Sequence, residues 1–133
     1  MMKAGEDGAA RPCSGIILVV DDDEAIRLAV ALALREAGYQ VATACNGRQA
    51  LDWLHEHETH PCVILLDLMM PVMDGRAFRE EQLRDPVLSQ VPVVVLTADG
   101  RAAAQRASNS DFAPRLAKPI RLDTLLNVIA GYC

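Results

Sequence analysis

VILLDLMMPVMDG, residues 63–75, contains the strongest strand signal in the chain, and a charge follows it at once. Five apolar residues, Cys62 to Leu66, lead into Asp67, and two methionines and a proline then turn the chain. A continuous apolar run bounded by turn residues is typical of a strand buried on both faces. A buried carboxylate without a partner is costly. The stretch therefore predicts a central strand whose terminal carboxylate is balanced by other groups.

The composition is typical of one soluble globular domain. The chain has 133 residues, of which 51% are hydrophobic and 23% charged, and its formal net charge is −5. This acidic balance argues against a nucleic-acid surface. No apolar run approaches the roughly 20 residues that span a bilayer, and residues 1–15 lack the apolar centre of a secretory signal. We expect a flexible N-terminal tail over 1–15, a single domain over 16–133, and a cytoplasmic protein.

Four cysteines, at positions 13, 45, 62 and 133, form no CxxC pair and show no regular spacing. Since no export signal precedes them, reduced thiols are expected in preference to a disulfide framework.

Five segments are predicted as strands. Three are continuous apolar runs that suit buried strands, at Ile16–Val20, Cys62–Leu66 and Val91–Leu96. Two are mixed in polarity and suit edge strands, at Tyr39–Ala44 and Arg115–Lys118.

Helical patterns fill the gaps between these strands. The predicted helices are Asp23–Ala37, Gly47–His57, Gly75–Arg84, Asp99–Ala107 and Leu122–Ala130. Gly38 follows the first helix as a C-terminal cap, and Asp74 precedes the third as an N-cap. Strand and helix thus alternate five times, which predicts a doubly wound α/β fold. With the three apolar runs central, the strand order is 2-1-3-4-5, with helices on both faces of the sheet.

Polar side chains follow the predicted strands at one edge of this sheet. Asp21 and Asp22 follow the first strand, Asp67 the third, Thr97 the fourth, and Lys118 ends the fifth. In open parallel sheets, sites form at the carboxyl ends of strands where the winding reverses, and here that point lies between strands one and three. Their carboxylates are therefore expected to lie close together.

Neighbouring carboxylates repel unless a proton or a cation intervenes. Oxygen ligands without His or Cys select a hard ion, and Mg²⁺ (or Mn²⁺) suits a few carboxylates together with waters and a phosphate. With the hydroxyl of Thr97 and the ammonium of Lys118, the arrangement predicts phosphoryl transfer, in which Asp67 acts as the nucleophile.

The segments ILVVDDDEA, VILLDLMMPVMDG, VVVLTA and AKP, in this order, resemble the receiver domain of bacterial two-component response regulators, including its single-domain, chemotaxis-regulator-like members. The similarity covers about Ile16 to Ala130 and implies a flavodoxin-like sheet. It implies a signalling phosphoacceptor that turns over no substrate, apart from self-catalysed phosphorylation and dephosphorylation.

The resemblance also implies roles for individual residues. Asp67 would accept a phosphoryl group from a sensor histidine kinase or a histidine phosphotransfer protein. Asp22, Asp67 and the backbone carbonyl of Met69 would bind Mg²⁺ directly, and Asp21 through water. Thr97 would bond a phosphoryl oxygen and Lys118 would pair with the phosphate. The bond between Lys118 and Pro119 would be cis, as is common in the family.

Several of these residues have plainer interpretations. Asp23 suits an N-cap of the first helix, and Gly75 suits a turn. Thr97 alone could be a satisfied core hydroxyl. The three histidines between 55 and 60 lie near Cys62, but their spacing fits no usual zinc site, so a solvated helix end is expected.

One position departs from the family pattern. Arg115 stands where receivers carry the Tyr or Phe that follows the threonine inward. The signal could therefore run through displacement of Arg115 or of the loop before Lys118, or the switch could be weak or silent. The downstream target is expected at the face formed by the fourth helix, fifth strand and fifth helix. This face carries four arginines, at 101, 106, 115 and 121. They form either a solvated face or a surface for an acidic partner.

Two other classes of function remain open. A pseudo-receiver would bind a partner without being phosphorylated. A haloacid-dehalogenase-like Mg²⁺ phosphatase is suggested by Asp21-x-Asp23, but Ala25 departs from that motif and the second acidic pair is missing. No output domain is expected after Cys133, so the chain is a stand-alone regulator, a phosphorelay intermediate or a receiver excised from a larger protein. Neither direct nucleic-acid binding nor membrane insertion is expected.

Overall fold

A computed structural model describes residues 15–97, 115–118 and 120–133. Five strands form one parallel sheet: β1 (Ile16–Val20), β2 (Gln40–Ala44), β3 (Val63–Asp67), β4 (Val93–Thr97) and β5 (Arg115–Ala117). The described helices are α1 (Glu24–Glu36), α2 (Gly47–Glu56), α3 (Gly75–Arg84), a 3₁₀ helix (Leu88–Gln90) and a helix at Leu122–Ala130, called the C-terminal helix below. The helix predicted at Asp99–Ala107 lies outside the described residues.

The strand order is β2-β1-β3-β4-β5, which confirms the predicted doubly wound topology. β1 and β3 are neighbours, with Val20 opposite Leu66. On the other side of β3, Asp67 lies opposite Leu96 of β4. The carboxyl ends of β1, β3 and β4 therefore meet at one edge, which is where the sequence predicts a site.

The apolar runs are buried on both faces because alternate side chains of a strand point to opposite sides of the sheet. Leu18 of β1 and Ile64 of β3 pack into a core cluster with the buried side chains of α2 and α3. Val19 of β1 and Leu65 of β3 pack into a second cluster with α1 and the C-terminal helix. This two-sided burial explains why the strands are continuously apolar.

Helix boundaries follow the predicted caps. Asp23 and Asp74 accept hydrogen bonds from backbone amides in the first turns of α1 and α3. Gly38, at φ 103°, ends the α1 segment in a conformation that favours glycine. Asn46 caps α2 in the same way as the two aspartates.

β4 begins two residues later than predicted, because a buried glutamine binds the segment before it. The Nε2 of Gln82, on α3, donates to the carbonyl oxygens of Leu88 and Val91 at 2.8 and 3.0 Å. The Val91 amide completes the 3₁₀ turn by donating to Leu88. The apolar pattern predicts strand from Val91 onwards, but Val91 and Pro92 precede β4, which starts at Val93.

The prediction that the cysteines are all reduced thiols is wrong. Cys62 and Cys133 form a disulfide, with their Cα atoms 5.7 Å apart. The compartment argument treats the cysteines alike, whereas the fold brings residues 71 apart in sequence to the same end of the sheet. Cys45 is free, and Cys13 lies outside the described residues.

In the part of the chain that the structure describes, no helix has the length and apolar content needed to cross a membrane.

Candidate functional site

The turn after β1 carries the first two acidic residues of the site. Asp21 is completely buried, whereas Asp22 is exposed. The carboxylate of Asp21 accepts a hydrogen bond from the Asp23 amide at 2.9 Å. Asp23 turns away and caps α1 through the amide of Ile26 at 3.1 Å, as predicted. The turn therefore divides three consecutive aspartates between the site and the helix cap.

Asp67 ends β3 and is only 2% exposed. Its Oδ1 accepts a hydrogen bond from the Met69 amide at 3.3 Å. Gly75, at the start of α3, packs directly beneath this strand end, and its amide donates to the Leu68 carbonyl at 3.0 Å. A Cβ at position 75 would overlap the Asp67 carbonyl oxygen and lie 2.8 Å from the Leu68 Cα. The glycine allows α3 to start against the backbone of Asp67.

Asp21, Asp22 and Asp67 form a cluster at this edge. Each can offer a carboxylate oxygen, and these atoms lie within 4.8 Å of one another. Three carboxylate oxygens without nitrogen or sulfur ligands suit a hard divalent cation such as Mg²⁺. The cluster confirms the expectation that the carboxylates meet.

Lys118 lies close to two of these acids. Its Nζ is 2.8 Å from Oδ2 of Asp21 and 3.6 Å from Oδ2 of Asp67. Burial alone lowers the pKa of Lys118, but the hydrogen bond to Asp21 and the charge of Asp67 outweigh it, so the pKa is raised above its usual value. The lysine therefore stays charged, and in this structure its nearest partner is Asp21.

The single positive charge of Lys118 does not balance the negative charges of the acidic cluster. Burial first, and repulsion by Asp21 second, raise the pKa of Asp67 from 3.8 to about 7, although Lys118 opposes this shift. A carboxylate held this far above its ordinary pKa is short of positive charge. This deficit, together with the all-oxygen donor set, fits a bound divalent cation.

Arg27 is a further contact that the sequence reasoning missed. Its guanidinium, on α1, donates to the backbone carbonyl of Asp21 at 2.8 Å and so closes the acidic turn onto the helix. An arginine placed one turn inside a helix that follows an acidic cluster is the signal that could have indicated this contact.

The structure does not test every predicted residue. Thr97 ends β4 opposite Ala117, and Arg115 lies opposite Val95, but these are statements about the backbone alone. Pro119, and with it the predicted cis bond, lies outside the described residues, as do Arg101 and Arg106.

The histidines near the end of α2 do not form a metal site with other described residues. His55 Nε2 lies 3.7 Å from Oδ2 of Asp85. The ring of His57 stacks on Trp53 at a centroid distance of 4.0 Å, and its Nδ1 lies 2.8 Å from the Trp53 carbonyl oxygen. These contacts agree with the expected helix end.

Comparison with known proteins gives consistent matches. The family model of the response regulator receiver domain matches residues 17–130. The chain is 40% identical over 114 residues to response regulator MprA of Mycolicibacterium vanbaalenii, a match that covers 83% of this chain and 46% of MprA. Other curated relatives are matched over only 32% of their length, so the chain spans less than half the length of these proteins.

Solved structures agree with these matches. Chemotaxis protein CheY4 of Vibrio cholerae superposes with a TM-score of 0.78 at 30% identity, over 93% of this chain and all of that one. The receiver domain of sensor histidine kinase PA1611 of Pseudomonas aeruginosa superposes with a TM-score of 0.80 at 25% identity, over 90% of this chain and 97% of that one. That domain has a magnesium ion coordinated in its active site cleft.

Proposed function

The chain belongs to the response regulator receiver domain family, and on that premise we propose that it is a phosphorylation-switched signalling domain whose phosphoacceptor is Asp67. The proposed domain comprises residues 16–133. The observation that carries the proposal is the buried Asp67 carboxylate, which lies in a cluster with Asp21 and Asp22 and 3.6 Å from Lys118. The phosphoryl donor is the phosphohistidine of a sensor kinase or of a phosphotransfer protein, and the reaction takes place in the cytoplasm.

The reaction is a transfer from nitrogen to oxygen. A carboxylate oxygen of Asp67 attacks phosphorus, the bond between phosphorus and the histidine nitrogen breaks, and the imidazole leaves with the electron pair. Burial keeps water away from the strand end, and the amide of Met69 holds the carboxylate in place by its 3.3 Å hydrogen bond. Lys118 supplies a positive charge, and its ammonium group can turn from Asp21 to a phosphoryl oxygen.

Three carboxylates and a backbone carbonyl of this chain would hold Mg²⁺. They are Asp21 (through water), Asp22, Asp67 and the carbonyl of Met69. Bound there, the ion would supply positive charge to the negative oxygens of the transferring group. The raised pKa of Asp67 supports this assignment, because the same charge would keep the carboxylate ionised and nucleophilic near neutral pH.

Exposed apolar side chains on α1 and on the loop after Asp67 support a protein donor. Leu28 and Leu32 are exposed on α1, and Met69 and Val72 are exposed on the loop after Asp67. A groove of about 200 Å³ lies between α1 and the segment around Lys118, lined mainly by apolar side chains. Exposed apolar surface of this kind marks protein interaction sites, and a partner helix carrying a phosphohistidine could dock there.

Thr97 is proposed to bond a phosphoryl oxygen, and the phosphorylation signal is proposed to reach a downstream target at the face that includes Arg115 and Arg121. Arg121 forms an exposed ion pair with Asp123 at 3.2 Å. This pair neutralises the charge of Arg121 locally. Arg121 therefore gives no support to a surface that binds an acidic partner and agrees with a solvated face.

Intact mass after incubation with acetyl phosphate tests the proposal. The chain should gain one phosphoryl group in the presence of Mg²⁺ and none in its absence, and Asp67→Asn should abolish the gain. Asp52→Asn is the matched control, because Asp52 is an exposed carboxylate on α2 whose ion-pair partner, Arg48, is also exposed. No adduct under any condition would indicate a pseudo-receiver, and an adduct on Asp21 with continued turnover would indicate a phosphatase.

A second experiment separates the partner surface from the chemistry. Leu28→Arg should slow phosphoryl transfer from a histidine phosphotransfer protein but leave the acetyl phosphate reaction unchanged. Leu83→Arg is the control, because Leu83 is similarly exposed but lies in the last turn of α3. Equal effects of the two variants on transfer would contradict docking at α1.

A further inference from the structure

The disulfide between Cys62 and Cys133 joins two elements at the end of the sheet opposite Asp67. Cys62 immediately precedes β3, whereas Asp67 is the last residue of the same strand. Cys133 follows the C-terminal helix, which runs back along the sheet towards that opposite end. We infer that this disulfide is a reversible redox link that sets how firmly the C-terminal helix is held on the sheet.

Backbone hydrogen bonds position both cysteines. The amide of Cys62 donates to the Ile16 carbonyl at 2.9 Å, which continues the pairing of the sheet beyond β3. The amide of Cys133 donates to the Ile129 carbonyl at 2.9 Å, so the chain after the helix is held by the helix itself. The Cα separation of 5.7 Å is within the usual range for a disulfide. After reduction, the packing of Leu125 and Ile129 still returns the helix, and with it Cys133, to the sheet beside Cys62, so the bond can form again.

Within the described residues, the C-terminal helix is held on the sheet by apolar packing. It is nine residues long, its buried side chains are Leu125 and Ile129, and Leu126, Val128 and Tyr132 pack partly buried against the same cluster. Its N-cap, Arg121, makes no side-chain capping bond. Helices this short are marginal without tertiary packing. A covalent tie just beyond the last turn therefore has a large effect on how often this helix detaches from the sheet.

The two cysteine residues differ in exposure. Cys133 is exposed, whereas Cys62 is buried in the core cluster on the α1 side of the sheet. A low-molecular-weight thiolate therefore attacks the sulfur of Cys133, and Cys62 leaves as a thiolate that takes up a proton. A second thiolate then attacks the small-molecule sulfur of the mixed disulfide and releases Cys133 as a thiol. The net reaction consumes two small thiols and yields one small disulfide and two protein thiols, and an excess of the small disulfide reverses it.

A redox role agrees with the compartment proposed above, but the link itself is argued from the position of the two cysteines. Disulfides in a reducing cytoplasm are usually transient and redox-sensing. The oxidised protein then has a fixed C-terminal helix, and the reduced protein has a helix that opens more readily. The effect on the face that includes Arg121 rests on the proposed function, but the redox equilibrium and the helix stability do not.

Alkylation in glutathione buffers tests the link itself. The full chain is equilibrated with mixtures of reduced and oxidised glutathione, quenched, unfolded and treated with iodoacetamide, and its mass is measured intact. Of the four cysteines, two should be labelled in oxidising buffer and all four in reducing buffer, with full recovery of the disulfide on return. A chain that never forms the disulfide, or one that keeps it in excess reduced glutathione, would overturn the inference.

Hydrogen exchange tests the effect on the helix. Amides of residues 122–130 should exchange at least about tenfold faster in the reduced protein than in the oxidised one, while those of β1 and β3 change less. Cys133→Ser should exchange like the reduced wild type in both buffers. This variant is preferred because Cys133 is exposed, whereas Cys62→Ser places a hydroxyl in the core. Cys45→Ser is the matched control, since Cys45 is the free cysteine among the described residues, and it should behave as wild type.

Equal exchange rates in the oxidised and reduced protein would show that the bond has no influence on the helix and would refute the inference. None of these measurements involves phosphorylation, so they can fail while the phosphoacceptor proposal stands, and the reverse also holds.

Discussion

Replacement of Asp67 by Asn should stabilise the protein, and the gain should grow with pH. Asn resembles the protonated acid in shape but cannot ionise. Burial and the charge of Asp21 raise the pKa of Asp67 from 3.8 to about 7, so ionisation costs more in the folded state than in the unfolded chain. The folded wild type therefore loses stability as the pH rises from about 4 to about 7, and above both pKa values the loss is complete.

The size of this effect follows from the pKa shift. A rise from 3.8 to about 7, at about 1.4 kcal/mol for each pKa unit, corresponds to a loss on the order of 4 kcal/mol at high pH. Part of the loss occurs below pH 5, where the unfolded carboxylate already ionises while the folded one stays protonated. Roughly 3 kcal/mol of the loss should therefore remain to appear between pH 5 and pH 8. Since Asp67 is 2% exposed, solvent screening reduces the effect little.

Urea unfolding at pH 5 and pH 8, with a chelator present, measures the difference between the variant and the wild type. Asp52→Asn is the control, because an exposed ion pair such as that of Asp52 with Arg48 contributes less than about 1 kcal/mol. Added Mg²⁺ should stabilise the wild type at pH 8 and narrow its gap to Asp67→Asn, because binding to the folded state alone raises its stability. A gap that stays constant from pH 5 to pH 8, or a variant less stable than wild type at pH 8, would refute the reasoning.

Three further predictions concern backbone geometry and packing, each measured by chemical denaturation. Gly75→Ala should cost about 2 kcal/mol or more, because its Cβ would overlap the Asp67 carbonyl oxygen, whereas Gly131→Ala, with only a 3.4 Å contact, should change stability little. Equal losses would show that the close approach is not the cause. Val72→Asn should raise stability by about 0.5–1 kcal/mol, since Val72 holds a φ of 68° that β-branched residues avoid and its 84% exposure means that little packing is lost; a loss of stability would contradict backbone strain there. Gln82→Leu should cost about 2–3 kcal/mol, because it removes hydrogen bonds to the Leu88 and Val91 carbonyls at a fully buried position; a neutral result would show that the segment holds without the glutamine.

Much of the fold could be predicted from local sequence pattern. A strand buried on both faces must be apolar at every position, so β1, β3 and β4 could be recognised as central strands of a parallel sheet. Because strands and helices alternate along the chain, few sheet topologies were possible, and the observed strand order is the predicted one. The site followed from the same logic, because charges that directly follow buried strands must emerge together where the winding reverses. Asp21, Asp22, Asp67 and Lys118 meet there for that reason.

Other features depend on distances that only the packed chain determines. The nearest partner of Lys118 is Asp21 at 2.8 Å and not the predicted phosphoacceptor, a preference that no spacing in the sequence encodes. The raised pKa of Asp67 depends on how deeply the strand end is buried and on how few cations surround it.

The sequence by itself determined which strands are central and which charges stand at their ends. Strands buried on both faces are continuously apolar, and the charged residue that follows each run marks the point where the strand leaves the core. Tertiary structure decided the pairing of Cys62 with Cys133, which are 71 residues apart in sequence. It also decided the role of Gln82, whose side chain on α3 binds the backbone of the segment before β4. Such contacts depend on the direction in which a helix returns across the sheet and on the side chain that reaches a particular carbonyl. These are properties of the packed chain, and local composition does not predict them.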